Sequence, residues 1–482
     1  MRLHVSYFKR ACYAASIQPF KGIYLLEVNP QVQPAPTAAD PECPIESLRY
    51  AWYVVIVLML VYTLSFIDRQ ILSLLVKPIQ ADLQVNDTQV GLLQGLAFAL
   101  FYTFLGLPLG VVADTLNRRN LVVGGVVLWS IFTSLCSAAK SFGMLFLSRI
   151  GVGVGEATLG PCAYSMIADY FPKERIGLAM SVYYMGNLLG SGLAQIVGGM
   201  TVDKVMRTKE VTLPLLGTMA SWRVTFLVVG LPGLLFAMLM MTVREPLRRH
   251  LKALETPSKF NFAQSVKAIR DRWQTMAGIS VGMVFQAACN YGFMAWAPTF
   301  FQRVHGWTPG QAGRALGITV ITWGIAGMYV GGWYSDRLYR RGICEASLRI
   351  ALPSAFGCGL FIGLAMIMKN PWATIALAGP GLFFMAMPMG VVPGSLQLIF
   401  PNKVRGQVTA LFLFVLNLGA LTIGPLLPAV LNDYVFKDKM MVGYSIALTT
   451  AVSALLMLVI LWATIKPYKR DHHIAHPEFD AI

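Results

Sequence analysis

Charge is what this sequence has least of. Only 13% of its 482 residues are Asp, Glu, Lys or Arg, about half the share that coats a soluble domain, and the mean hydropathy is +0.60. That argues against a cytosolic enzyme. No Gly/Ser- or Pro-rich linker divides the chain into soluble domains. Seven cysteines (Cys12, Cys43, Cys136, Cys162, Cys289, Cys344 and Cys358) show no CxxC spacing and read as free packing residues. A GxxxxGK[ST] loop is missing, which argues against an ATP-driven pump, and no Ser/His/Asp set or metal-ligand spacing points to catalysis, a metal or a cofactor. His472, His473 and His476 read as a solvated tail. The net charge of +16 is not gathered into an aromatic-interleaved patch, so nucleic acid is not an expected partner. Residues 1–48 hold Lys9, Arg10 and Lys21 but no apolar run long enough for a signal-peptide core.

What the chain has instead is long apolar runs. Twelve can cross about 30 Å of hydrocarbon: about 50–76, 88–113, 120–139, 142–170, 178–202, 222–243, 274–301, 311–335, 347–368, 371–399, 406–431 and 441–465. An even count puts both termini on one side. The tails and the loops on their side carry 26 of the 39 Lys and Arg and the opposite loops 11, so both termini are expected in the cytoplasm of a multi-pass inner-membrane protein. A basic cluster, Arg244, Arg248, Arg249, Lys252, Lys259, Lys267, Arg270 and Arg272, splits the runs into two sets of six. Its expected role is topology and contact with the bilayer. The organisation is then a tail (1–48), a six-helix bundle (49–243), a linker (244–273), a second bundle (274–466) and a tail (467–482).

The two sets repeat each other. Gly110-Val-Val-Ala-Asp114-Thr-Leu-Asn-Arg118-Arg119 follows the second run, and Gly332-Trp-Tyr-Ser-Asp336-Arg337-Leu-Tyr-Arg340-Arg341 follows the eighth. Phe171-Pro172 with Arg175 and Gly177 follows the fourth; Phe400-Pro401 with Arg405 and Gly406 follows the tenth.

With these loops and Arg149-x-x-x-Gly153-x-Gly155 in the fourth run, the chain resembles the major facilitator superfamily from about residue 48 to 466. Phe66-Ile67-Asp68-Arg69, Arg149 to Glu156 and Gly190-Ser-Gly192 are similar to its spinster-like branch. Thr115 and Asn117 depart from the basic residue and glycine common in the first loop. Ala194-Gln195 stands where antiporters of the superfamily often carry Gly-Pro. The resemblance implies an all-α membrane fold, twelve transmembrane helices in two pseudo-symmetric six-helix bundles. It also implies a monomeric secondary transporter, with lysolipid-like substrates linked to the branch. Gly110, Asp114, Arg118 and Arg119, with Asp336, Arg337, Arg340 and Arg341, become the expected gating residues, made and broken as the bundles rock. A non-transporting membrane sensor is the alternative of a different class, and flux in liposomes separates the two.

Four ionisable residues sit deep in runs: Asp68, Arg69, Arg149 and Glu156. Each costs about 2.5–3.5 kcal/mol near a bilayer centre unless partnered or hydrated, so a functional role is the default. At 1.5 Å per residue, Asp68 lies about 24 Å along its run, and Arg149 about 10 Å and Glu156 about 21 Å along a run of opposite direction. Asp68 and Arg149 thus share a depth, and with the cavity that the resemblance places between spans one and four, they are expected to pair. Asp68 and Glu156 are the expected proton carriers, and Arg149 the partner of a carboxylate or of an anionic substrate; Arg69 is expected to be structural. Tyr183, Asn187, Gln286, Asn290, Tyr291, Trp296, Phe383 and Phe384 are the further candidates for substrate contact. Spans seven and ten, uncharged and rich in aromatics and Met, would give an apolar wall facing an ionic one. An anionic amphipathic small molecule suits that pair of walls; a small aromatic or sugar acid is the runner-up.

Overall fold

Backbone N–H and C=O groups find no partners in hydrocarbon, so each long apolar run must close its hydrogen bonds within a helix. The computed structural model describes residues 48–172, 175–205, 210–213, 217–246, 262–401 and 404–476; the side chains of residues 107, 114, 210, 213 and 262–265 lie outside this description.

The first half contains α1 (Leu48–Leu74), α2 (Val76–Leu83), α3 (Asp87–Gln94), α4 (Leu96–Thr115), α5 (Arg118–Leu135), α6 (Phe142–Glu156), α7 (Leu159–Tyr170), α8 (Ile176–Val205), α9 (Ser221–Gly230) and α10 (Pro232–Met241). A short antiparallel hairpin, β1 (Glu210–Leu213) with β2 (Gly217–Ala220), pairs Glu210 with Ala220. After α11 (Phe262–Asp271), the second half follows with α12 (Trp273–Val304), α13 (Pro309–Tyr339), α14 (Ala346–Ile367), α15 (Pro371–Ala386), α16 (Pro388–Ile399), α17 (Arg405–Val430) and α18 (Val442–Ala475).

Four spans are broken pairs: α3–α4, α6–α7, α9–α10 and α15–α16. Pro232 and Pro388 open the second member of two of them, a position where the missing N–H costs nothing. Gly95 breaks the first, with φ −109° and ψ −87°; a Cβ there would stand 2.3 Å from the Leu421 carbonyl oxygen of α17. Ten of the twelve spans are long and apolar enough to cross a membrane on their own composition. The other two are α8 and α12, which carry many Gly and polar residues. They pack against helices of both halves, so protein rather than lipid surrounds much of their length.

We call the face where α1 begins and α18 ends the near face, and the opposite one the far face. At the far face the halves are tied together. Thr299 Oγ1 and Gln302 Nε2 of α12 donate to the Ser73 and Leu74 carbonyls that end α1 (3.4 and 3.3 Å), and Lys77 Nζ returns a bond to the Gln302 carbonyl at 2.8 Å. Arg303 grips Asp87 with both terminal nitrogens (2.7 and 2.6 Å), and Asn432 donates to the same carboxylate. Asp433, beyond α17, caps α3 through the Thr88 N–H at 2.6 Å. Its counterpart Asp203, near the end of α8, accepts from the Thr308 hydroxyl at 2.9 Å at the start of α13. Each half therefore holds the start of the other's second span with an aspartate. Among the described residues these ties do not recur toward the near face, and a Cβ at Gly110 of α4 or Gly406 of α17 would meet open space.

The last helix departs from the expected end near residue 465. It continues to Ala475 because its extension is docked: Tyr468 is buried, Thr275 Oγ1 donates to Asp471 at 2.6 Å, and Lys469 reaches Glu345 at 2.9 Å. His472, expected to be solvated, is fully buried beside Tyr339 and Tyr468. Tail residues 1–47 and 477–482 and most of the basic linker (247–261) lie outside the described residues.

Candidate functional site

The site begins with neighbours on α1. Consecutive helical residues point about 100° apart, so Asp68 and Arg69 cannot serve the same partner. Arg69 turns to α6, donating from Nε to Glu156 Oε2 at 2.6 Å, with Nη2 at the same distance. Ser65, one turn earlier, donates to the same oxygen at 2.6 Å. The Arg69 guanidinium also lies over the rings of Phe98, Tyr102 and Phe66, at 4.3, 4.8 and 4.9 Å. Asp68 turns the other way, toward Thr133 of α5, whose hydroxyl stands 3.5 Å from Oδ2.

Two expectations are thereby corrected. Arg149 does lie at the level of Asp68, but its Nη1 donates to the Asp68 backbone carbonyl at 3.4 Å rather than to the carboxylate. Arg69, expected to be structural, is the ion partner of Glu156. The sequence could not separate these cases because both arginines are long enough to reach either acid. Asp68 Oδ1, Arg149 Nε and Glu156 Oε1 are buried without hydrogen-bond partners among the described residues.

Beside this cluster a narrow cavity lies between the halves. Arg69, Gln70, Ser73, Gln94 and Arg149 form its polar wall from the first half; Tyr291, Ala295, Leu421 and Pro425 face them from the second. Phe66, Gln70 and Tyr291 are shared with an adjoining, roomier cavity, lined also by Asn187, Ser191, Met283, Gln286, Asn290 and Met389.

Of the candidates for substrate contact, Arg149, Asn187, Gln286, Asn290 and Tyr291 thus line these cavities. Gln286 is also tied to the Met385 carbonyl at 2.6 Å. Tyr183, Trp296, Phe383 and Phe384 do not line them. Tyr183 is buried and stacks on Tyr62 at 4.8 Å, Trp296 donates to the Pro425 carbonyl at 2.7 Å, and Phe383 and Phe384 pack on Trp323 and Phe361. Apolar spans give no rotational phase by pattern, which is why these four were misplaced. Gln70, Ser73 and Gln94 were missed, although a polar side chain inside an apolar run was the available signal.

The loop residues divide as well. Arg118 is buried and binds Asp169 at 2.5 Å and Ser165 at 2.7 Å in its own half, and Glu245 at the start of the linker at 2.8 Å. The Arg119 backbone N–H donates to Glu245, while its guanidinium rests on Asn120. Arg337 lies over the Trp333 ring at 5.5 Å; Asp336, Arg340 and Arg341 are exposed. Among the described residues none of these forms an ion pair across the halves. The Asp114 side chain lies outside the description.

Comparison with known proteins gives the same architecture. Residues 58–423 match the model of the Major Facilitator Superfamily. An MFS-type efflux pump of Mycolicibacterium smegmatis is 26% identical over 445 residues, covering 88% of this chain and 94% of that protein. Protein spinster of Drosophila melanogaster is 26% identical over 341 residues, covering 68% of this chain and 54% of its own length. A bacterial homolog of the human lysosomal transporter spinster, solved inward-facing and unoccupied, superposes with a TM-score of 0.68 at 24% identity, covering 90% of this chain and 98% of that one. The chain belongs to the major facilitator superfamily, as a multi-pass membrane transporter.

Proposed function

We propose that the chain is a proton-coupled secondary carrier for an anionic amphipathic small molecule, lysolipid-like or a hydrophobic carboxylate, working by alternating access between its two six-helix halves. One observation carries this reading: Arg149, an arginine with no carboxylate partner among the described residues, lines a cavity whose opposite wall is mostly apolar. Arg149 offers donors to an anion, and the Met283, Met389 and Leu416 wall offers an adaptable surface to the rest of the molecule.

Asp68 and Glu156 carry the coupling proton. Arg149 stands beside Asp68, and Arg69 holds Glu156, so an anion arriving among these arginines changes the charge that both buried acids face. With the basic near face in the cytoplasm of the inner membrane, the tied far face makes this an inward-open state. The 110–119 and 332–341 loops then close the near face in the opposite state.

Proteoliposomes test the reading. Wild type accumulates the anion under an imposed pH gradient; Asp68→Asn and Glu156→Gln bind it without pH-driven accumulation. Full proton-driven uptake by both variants would sink the coupling role. Uptake of small aromatic or sugar acids is the second reading, favoured by the seven Gln, Ser and Asn residues around the cavities, Gln70, Ser73, Gln94, Asn187, Ser191, Gln286 and Asn290. Competition separates the two: long-chain carboxylates outcompete acetate under the first, and equal potency favours the second.

A further inference from the structure

We infer that Gln94 is a specificity-determining residue of this carrier: its amide pairs with a hydroxyl borne next to the anionic group that Arg149 holds. The inference rests on the anion reading above. Gln94 is the last residue of α3, placed at the cavity by the break at Gly95, where α17 approaches too closely for a side chain. Both amide atoms, Nε2 and Oε1, are buried, and neither has a hydrogen-bond partner among the described residues. Arg149, 1% exposed on the same cavity, has its Nε in the same condition.

The two side chains ask for different chemistry. Arg149 only donates, so it selects an anion; an amide both donates and accepts, so it is completed by a group that does both. A hydroxyl is the smallest such group. Ser73, on the same wall, is already engaged, donating to the Gln70 carbonyl at 2.7 Å and accepting from Gln195 at 3.4 Å. A bare alkyl carboxylate would fill the arginine and leave the amide of Gln94 buried and unpaired, the circumstance in which polar sites reject an analogue most strongly. The substrate class is therefore a hydroxyl-bearing carboxylate or phosphate. A free hydroxy acid and a lysolipid headgroup share that chemistry.

Two matched ligand pairs distinguish these sources: 2-hydroxyoctanoate against octanoate, and 1-oleoyl-lysophosphatidate against its 2-deoxy analogue. Affinities are measured by thermal-stabilisation titration of the full-length protein in detergent. Wild type binds the hydroxylated member of at least one pair about tenfold tighter or more, and the pair that shows it names the source. Gln94→Met, matched in length, brings that ratio to about one by weakening the hydroxylated member alone; Arg149→Ala weakens both members together. A ratio near one for both pairs in wild type, or an unchanged ratio in Gln94→Met, overturns the role of Gln94 and leaves the anion reading standing. Affinities indifferent to Arg149→Ala overturn the anion reading itself, and this inference with it.

Discussion

Arg69 closes on Glu156 across α1 and α6, Nη2 to Oε2 at 2.6 Å, where the carboxylate is fully shielded from solvent. The pair is held from two sides, by Ser65 on the acid and by three aromatic rings on the guanidinium. Removing one partner of a buried pair leaves an uncompensated charge and costs about 3–5 kcal/mol, whereas removing both is far milder. Arg69→Met should therefore lower the melting temperature clearly, and Arg69→Met with Glu156→Gln should recover most of the loss. Transport should stay abolished in the double variant. Additive destabilisation in a thermal-melt cycle would refute the pairing.

The far-face ties predict which state a variant populates. Asp87→Ala frees Arg303 and Asn432 and removes a cross-half contact without touching the cavity. Gly313→Val acts sterically, since even a Cβ at that position would stand 2.0 Å from the Gln195 carbonyl oxygen of α8. Both should widen the far face, read as a longer spin-label distance between α3 and α12. A distance distribution identical to wild type in both would contradict the gate.

Adjacent arginines of one loop should behave differently. Arg118 is buried among Asp169, Glu245 and Ser165, so Arg118→Ala strands two acids and should cost about 3 kcal/mol or more. Arg119→Ala should cost far less, because its half-buried guanidinium bonds only to the neighbouring Asn120 and its bond to Glu245 comes from the backbone. Equal loss of folded yield would show that the loop is not organised as described.

Glu345, outside the spans, sets a pH limit on the docked end of α18. Burial pushes its carboxyl up, but Lys469, its own backbone N–H and Cys344 together hold it down, to about 2. A depressed carboxyl contributes stability that is fully present above its unfolded value and is lost as pH falls through the folded one. Hydrogen exchange over residues 466–475, corrected for intrinsic rates, should therefore be flat from neutral pH to about 5. It should rise as pH drops from about 4.5 toward 2. In Glu345→Gln the same segment should exchange faster already at neutral pH, and a wild-type profile there would remove Glu345 from the dock.

The sequence by itself determined the twelve spans, most of their ends to within a few residues, the two repeated halves and the four intramembrane charges. These follow from free energies that are local or additive along the chain, namely hydrocarbon transfer and helix rise. It also marked Asn187, Gln286, Asn290 and Tyr291, polar groups that a lipid-facing surface would not tolerate. What only the tertiary structure decided is which arginine meets which acid, the rotation that turns Gln94 into the cavity and Trp296 away from it, and the face on which the halves are tied. Those choices depend on how helices rotate and approach one another. Two glycines show the difference: Gly95 and Gly313 are anonymous in the sequence, yet at each a Cβ would run into a backbone carbonyl of the opposite half.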